Sequence, residues 1–151
     1  MILSEEQRMI RDMAQAFAAD KLAPNAAQWE KDEAIPMDVL HEMGALGLMG
    51  MTVPEKWGGA EVDYVSYALA LMEIAGGDGA VSTVMSVNNA PVCAALLKAG
   101  NDDQKERYLK PLARGEVIGA FCLTEPQAGS DAGMLKAKAV RTNSGYVLNG
   151  A

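Results

Sequence analysis

The chain has 151 residues, of which 50% are apolar and 22% are charged, and its formal net charge is −7. This balance is typical of a folded globular protein and argues against a disordered one. The acidic charge argues against a partner such as nucleic acid or an anionic membrane, because those partners are bound by basic patches. The sequence also lacks a Cys/His metal-ligand spacing, a Walker-type phosphate loop and a nucleophile with an adjacent base.

The chain up to about residue 116 has the pattern of successive packed helices. Ser4 followed by Gln7 forms a capping box, which predicts a first helix from about Ser4. A short helix is predicted over residues 37–43. Asp63 is the expected N-cap of the next helix, and a last helix is predicted over residues 102–113. These elements predict an all-α domain.

Between these elements, residues 80–99 form an apolar stretch about as long as a membrane span. The adjacent Asn88 and Asn89 are costly in lipid, so the stretch is predicted to be a helix buried in protein rather than inserted in a membrane. Two interpretations of the asparagines stay open. They line a cavity beside a polar ligand, or they bond the neighbouring backbone at a kink caused by Pro91.

The pattern changes from helix to strand after the last of these helices. Residues 117–123 are predicted to form an apolar strand, which Pro126 ends because it lacks a backbone donor. Residues 135–141 and 146–148 are predicted to be two further strands, joined by a turn at residues 142–145.

A loop rich in glycine follows the predicted strand at Pro126. Gly129, Ser130 and Gly133 allow its backbone to approach a ligand closely and to present free N–H groups. Such groups suit a polar ring or a phosphate. The alternative is an ordinary exit from a strand into a loop, and composition alone favours this alternative.

Single reactive residues give no sign of a metal site or a catalytic triad. Cys93 and Cys122 stand alone in apolar surroundings and are predicted to be reduced, buried thiols of a cytoplasmic protein. His41 has no apparent partner and is predicted to be non-catalytic. Met1 leads directly into a helix cap without the pattern of a signal peptide.

Residues 120–131, with the sequence AFCLTEPQAGSD, resemble the flavin-contacting signature of the acyl-CoA dehydrogenases. Residues 54–59 resemble the P-E-x-x-G-G turn of that family, and residues 85–89 resemble its short-chain, butyryl-type members. Residues 100–115 and 146–150 match family segments on either side of the signature. Because these motifs cover nearly the whole chain in the same order, the chain is identified as a member of this family.

The resemblance implies a helical N-terminal domain over residues 1–116, followed over residues 117–151 by the first strands of a β-barrel-like middle domain. It implies FAD-dependent α,β-dehydrogenation of a short- to medium-chain acyl-CoA in fatty-acid β-oxidation. Electron-transfer flavoprotein would be the acceptor, and the full-length protein would be a homotetramer or dimer. The domain with the catalytic glutamate would lie beyond Ala151, so the chain alone is expected to be inactive.

The resemblance also assigns positions at the flavin and at the substrate. The positions implied at the flavin are Phe121, Leu123, Thr124, Gly129 and Ser130. The positions implied at the acyl-CoA are Ser130, Val84, Val87 and Asn88.

The neighbouring polar residues of the signature have a different expected role. Glu125 and Asp131 are expected to bond the loop to itself. Gln127 stands where many family members have glycine, and its side chain is expected to face outward.

Two alternatives to a dehydrogenase remain. The first is a relative with the same fold in which reduced flavin reacts with oxygen, such as an acyl-CoA oxidase or a flavin monooxygenase. The second is a helical interaction module without catalytic activity.

Overall fold

The computed structural model describes residues 2–150, which divide into two compact units. The boundary between the units falls between Ala120 and Phe121. The first unit is helical and the second carries a pair of antiparallel strands, which confirms the predicted fold class. The domain boundary predicted after residue 116 stays a prediction.

The helices of the first unit follow one another with short connections, except for a long loop over residues 46–63. They are α1 (Glu5–Phe17), α2 (Ala26–Asp32), α3 (Met37–Ala45), α4 (Tyr64–Gly77), α5 (Gly79–Val87), α6 (Ala94–Ala99), α7 (Asp102–Gln104) and α8 (Lys110–Ala113). Segments with π-helical hydrogen bonding continue α1, α5 and α7. These segments are Ala18–Leu22, Asn88–Cys93 and Lys105–Leu109.

Side-chain caps begin α1 and α4, as the sequence predicts. The Ser4 hydroxyl accepts the Gln7 N–H at 3.1 Å, and the Gln7 side chain accepts the Ser4 N–H at 3.0 Å. The Asp63 carboxylate accepts the N–H groups of Val65 at 2.7 Å and Ser66 at 2.9 Å. The Ser66 N–H and the Gln7 side-chain amide lower the pKa of Asp63. Local chemistry therefore fixes where these helices begin.

The apolar stretch Gly79–Ala99 is a single helical run made of α5, a π-helical segment and α6. Pro91 lies inside the π-helical segment. A proline has no N–H to donate, and a local change of helical register accommodates this loss. By length and composition alone the run could cross a membrane, but core helices of soluble proteins meet the same criterion.

Two clusters of buried apolar side chains form the core of the first unit. The larger cluster lies where α1 packs along α4 and α4 packs along α5. The smaller cluster joins the π-helical segment after α5 to the last helical turns of the unit. The buried members of the smaller cluster are Val53, Cys93, Leu109, Leu112 and Ala113.

Two glycines allow α3 to approach the end of α8 closely. A Cβ atom on Gly44 would lie 2.2 Å from the Arg114 carbonyl oxygen, so no larger residue fits there. Gly115 ends the last helix with a φ of 68°, a conformation that favours glycine.

The second unit contains a β-hairpin of β1 (Lys138–Thr142) and β2 (Gly145–Asn149). Ala139 pairs with Leu148 and Val140 pairs with Val147, and the strands are joined at residues 143–144. This confirms the predicted strands and turn, although β1 begins later than expected. Every residue of both strands is exposed.

The strand predicted over residues 117–123 is wrong. These residues have no strand assignment, although Ile118 packs against the larger core cluster. A strand is defined by its ladder of hydrogen bonds to a neighbour, and no neighbour among residues 2–150 supplies one. An apolar run with strand-like residues is therefore not sufficient to make a strand.

Candidate functional site

The segment Phe121–Thr124 carries three of the five predicted flavin positions and is exposed. Within residues 2–150, no backbone group of this segment bonds another backbone group. The Thr124 hydroxyl also has no hydrogen-bond partner in the described part of the chain. Successive donors are thus free at the position where the resemblance expects a flavin ring.

A tight turn follows this segment and is closed by Glu125 and Ala128. The Glu125 N–H donates to the Ala128 carbonyl at 2.9 Å, and the Ala128 N–H donates back to the Glu125 carbonyl at 3.0 Å. Pro126 and Gln127 occupy the corners of the turn. Pro126 has no N–H, so its position at a corner leaves no donor unpaired.

The Glu125 side chain binds a distant part of the same unit. Its carboxylate accepts the Lys136 N–H at 2.8 Å and the Ala137 N–H at 2.9 Å, one on each oxygen. It also accepts the side-chain amide of Gln127. The Lys136 N–H, followed by the Ala137 N–H, lowers the pKa of Glu125, because these donors favour the ionised form.

The glycine-rich loop is open to solvent. Gly129 and Ser130 are exposed, and a Cβ atom at Gly129 would meet nothing within 4 Å. The Asp131 carboxylate accepts the Gly133 N–H at 3.1 Å and begins a short 3₁₀ turn over Ala132–Met134. Asp131 therefore bonds its own loop, which is the role expected from the sequence.

An open cleft of about 460 Å³ lies within the second unit. Residues 122–125 form one wall, and residues 137–139 and 148–150 form the rest of the lining. Two of the predicted flavin positions, Leu123 and Thr124, therefore line this cleft. Phe121, Gly129 and Ser130 do not line it.

The predicted substrate position Asn88 lies in the first unit and is fully buried. Its Nδ2 donates to the carbonyls of Met49 at 2.8 Å and Leu112 at 3.0 Å. Its Oδ1 accepts the Gly119 N–H at 2.9 Å. Both amide hydrogens of Asn88 therefore bond backbone carbonyls, although these belong to distant segments and not to the kink at Pro91. A role for Asn88 in substrate binding stays a prediction.

Asn89 has the same kind of environment. Its Nδ2 donates to the carbonyls of Leu48 at 2.8 Å and Met85 at 2.9 Å, and its Oδ1 accepts the Met51 N–H at 2.7 Å. The two asparagines therefore connect the π-helical segment to the loop after α3. Val84 and Val87, the other predicted substrate positions, are half-buried on α5.

The prediction that both cysteines are buried is wrong for Cys122. Cys93 is buried and Cys122 is exposed, in a segment that forms no strand and pairs with no neighbour among residues 2–150. Burial raises the pKa of the Cys93 thiol to about 12. Across residues 2–150, no three His, Cys, Asp or Glu residues are grouped to hold a metal ion.

The residues present fit the polar edge of a flavin ring. The free N–H groups of Phe121–Thr124 and the Thr124 hydroxyl can donate to ring acceptors, and the cleft beside them is lined mainly by apolar groups. The sequence did not indicate the partners of the Glu125 carboxylate. They are the backbone N–H groups of residues 136 and 137. Because almost every residue has such a group, the residue types give no sign of these two partners.

Comparisons with known proteins agree with the resemblance. The family model described as acyl-CoA dehydrogenase, N-terminal domain, matches residues 4–116. An acyl-CoA dehydrogenase of Bacillus subtilis (strain 168) is 44% identical over 151 residues, which is 100% of this chain and 40% of the relative. The short-chain specific acyl-CoA dehydrogenase, mitochondrial, of Rattus norvegicus is 40% identical over 148 residues, which is 98% of this chain and 36% of the relative.

A solved structure is similar over the same range. The glutaryl-CoA dehydrogenase of Mycobacterium smegmatis in complex with FADH2 superimposes with a TM-score of 0.92 at 34% identity. This match covers 98% of the present chain and 38% of that chain. The chain thus spans about 40% of the length of the relatives that it matches. Because the family model covers most of the chain, the chain belongs to the acyl-CoA dehydrogenase family.

Proposed function

We propose that the full-length protein containing this chain is an FAD-dependent dehydrogenase that forms the α,β double bond of a short- to medium-chain acyl-CoA. The observation that carries this proposal is the exposed segment Phe121–Thr124, whose backbone donors are free at the flavin position of the family. The similarity to a short-chain specific enzyme and to a glutaryl-CoA dehydrogenase supports a small acyl group.

When bound, FAD would supply a ring that accepts the β-hydrogen of the substrate as hydride. The N–H groups of Leu123 and Thr124 and the Thr124 hydroxyl would donate to the pyrimidine edge of that ring. Donors placed there favour the negative charge that the ring gains on reduction. Phe121, Gly129 and Ser130 would contact the cofactor nearby. No carboxylate of this chain is assigned as the base that removes the α-proton.

The substrate would contact Ser130 and the α5 positions Val84, Val87 and Asn88. The acceptor of the electrons would be an electron-transfer flavoprotein, and the protein would be a cytoplasmic homotetramer or dimer without membrane insertion. These assignments rest on family membership and on the chain's acidic charge. Their direct test is the behaviour of the flavin with substrate and acceptor.

The reaction class can be tested with the purified full-length protein. Anaerobic addition of butyryl-CoA should bleach the flavin, and air should restore its colour slowly. Fast recovery with release of peroxide would instead support the oxidase alternative. A colourless protein that takes up no FAD would support the interaction module and would contradict the proposal.

Thr124→Val tests the proposed donor to the flavin ring. Loss of the hydroxyl should lower the flavin reduction potential and slow reduction by substrate. The reduced flavin should be destabilised by about 1–3 kcal/mol, the range for loss of one partner of a buried hydrogen bond. Thr142→Val is a matched control, because the Thr142 hydroxyl donates to the Gly145 carbonyl of its own hairpin. Equal potentials in the two variants would contradict the assignment of Thr124.

Val84→Phe tests the proposed acyl pocket. A larger side chain there should penalise longer acyl chains more than butyryl, and one methylene in such a pocket is worth about 1–3 kcal/mol. The measurement is kcat/KM across a series of acyl-CoA lengths. A uniform loss across the series would remove α5 from the pocket.

A further inference from the structure

The Glu125 carboxylate joins two walls of the cleft in the second unit. Glu125 lies on the same wall as Leu123 and Thr124, whereas its bonded partner Ala137 lies on another wall. Glu125 is only 8% exposed and is the one charged side chain in the buried class among residues 2–150. A buried carboxylate is stable only when its oxygens are paired, and both oxygens here have donors.

The two N–H groups that Glu125 accepts come from consecutive residues, Lys136 and Ala137. In an extended strand consecutive N–H groups point in opposite directions, so a strand cannot direct both to one carboxylate. Convergent backbone N–H groups are instead typical of a concave anion-binding turn. β1 begins at Lys138, directly after these two residues. The carboxylate therefore binds the two residues that immediately precede the hairpin.

The same end of the cleft is closed by a third segment. A Cβ atom on Gly150 would lie 2.6 Å from the Ala137 Cβ, so the backbone after β2 packs directly on Ala137. Glu125, Ala137 and Gly150 all line the cleft. Three chain segments thus meet at the residue that holds the carboxylate.

The segment before Glu125 has little else to hold it within its own unit. No backbone group of Phe121–Thr124 is paired with backbone within residues 2–150. Glu125 itself is held by its N–H and carbonyl in the turn with Ala128, and by its carboxylate at residues 136 and 137. The direction in which Thr124 leaves Glu125 therefore depends on these bonds.

We propose that Glu125 is a positioning residue for the flavin site, which it serves by holding Leu123 and Thr124 at a fixed distance from the start of β1. Glu125 does not touch the flavin. It acts through the neighbouring donors, whose alignment with the ring determines how well they stabilise the reduced form. This inference rests on the proposed function, since it requires a flavin at Thr124.

Glu125→Gln in the full-length flavoprotein is the main test. The amide keeps one acceptor oxygen but places an NH₂ group against one of the two backbone N–H donors, which leaves that donor without an acceptor. We expect the FAD dissociation constant to rise by about tenfold, the lower end of the loss seen when a partner that orients a metal ligand is removed. The reduction potential and the visible absorption spectrum of the bound flavin should also shift.

Two other variants separate positioning from loss of charge or of folding. Glu116→Gln removes the same charge from an exposed side chain that pairs with Arg114 at 3.7 Å, and it should leave the flavin properties unchanged. Glu125→Asp keeps the charge but is one methylene shorter, so it cannot hold both N–H groups at the same distance. Its flavin potential should fall between those of the wild type and Glu125→Gln.

Amide hydrogen exchange at Lys136 and Ala137 measures their hydrogen bonds to Glu125 independently of the flavin. Faster exchange at the amide that loses its acceptor in Glu125→Gln, together with a shifted potential, would support the proposal. Faster exchange with unchanged potential and affinity would overturn it, because Glu125 would then be only structural. Unchanged exchange would overturn it as well. A wild-type protein that binds no flavin would instead contradict the proposed function.

Discussion

The two units of the chain are stabilised in different ways. The unit up to Ala120 buries two clusters of apolar side chains, and its buried asparagines form hydrogen bonds with backbone groups. In the unit from Phe121 to Gly150, the buried class contains only Glu125 and Ala128. About thirty residues are too few to bury a core of their own. Apolar burial therefore fixes the first unit, whereas a few hydrogen bonds fix the second.

The two cysteines give the sharpest contrast between the units. Cys93 is buried in the first unit, where burial raises its pKa from 9.0 to about 12, and Cys122 is exposed in the second. The raised pKa disfavours the Cys93 thiolate, which is the reactive form of a thiol. A thiol reagent should therefore modify the exposed Cys122 much faster than the buried Cys93 in the native chain.

Thiol titration of the native and the denatured chain measures this difference directly. Cys122→Ser should abolish the fast reaction, and Cys93→Ser should leave it intact. Equal native rates at the two thiols would show that the contrast in burial between the units is wrong.

Buried hydrogen bonds should give the next largest difference. Asn89→Ala would leave the Met51 N–H and the Leu48 carbonyl without partners in the core. We expect a loss of roughly 2–6 kcal/mol in the free energy of unfolding, because each of the two orphaned buried groups costs about 1–3 kcal/mol. The exposed Asn143 of the hairpin turn is the matched control, and Asn143→Ala should change stability by about 0.5 kcal/mol or less. Urea unfolding measures both, and similar losses in the two variants would contradict the structure.

A pair of leucines tests apolar burial alone. Leu109 is 0% exposed in the first unit, and Leu148 is 79% exposed in the second. Leu109→Ala should cost about 2–5 kcal/mol, since it removes apolar contacts and leaves a cavity. Leu148→Ala should cost about 0.5 kcal/mol or less in the isolated chain. A large loss from Leu148→Ala would mean that the hairpin is covered in solution.

What the sequence predicted correctly depends on neighbouring residues. The capping box of Ser4 and Gln7 and the cap by Asp63 involve residues at most three positions apart, so their chemistry is visible in the sequence. The hairpin turn at residues 142–145 is equally local. Such short-range features specify the ends of elements without any knowledge of the fold.

The incorrect or undecided predictions depend on distant partners. Residues 117–123 have the composition of a strand, but a strand also needs a neighbour to bond. The exposure of Cys122 follows from the same missing neighbour. Glu125 was expected to bond its own loop, and its contacts extend further, to backbone donors at residues 136 and 137. Backbone donors exist at almost every residue, so no sequence pattern identifies these two.

The smallest expected effect concerns stability in acid. Each unit should become less stable when its own hydrogen-bonded carboxylate is protonated. The pKa of Asp63 in the first unit is lowered from 3.8 by the Ser66 N–H and then by the Gln7 amide. A lowered pKa in the folded state stabilises that state above the unfolded pKa, and this stabilisation disappears as pH falls through the folded pKa. Asp63→Asn should therefore flatten the decline of the thermal midpoint below about pH 4.

Asn remains a good N-cap, so the midpoint of this variant at neutral pH should fall only slightly. Asp103→Asn removes an exposed carboxylate from the first turn of α7 and should retain the acid sensitivity of the wild type. Glu125→Gln should also retain it when unfolding is followed by helical circular dichroism, because every bond of Glu125 within residues 2–150 is to the second unit. Glu125→Gln could instead reduce the acid sensitivity of helix unfolding as much as Asp63→Asn does. The two units would then unfold together, which would refute the conclusion that they are stabilised in different ways.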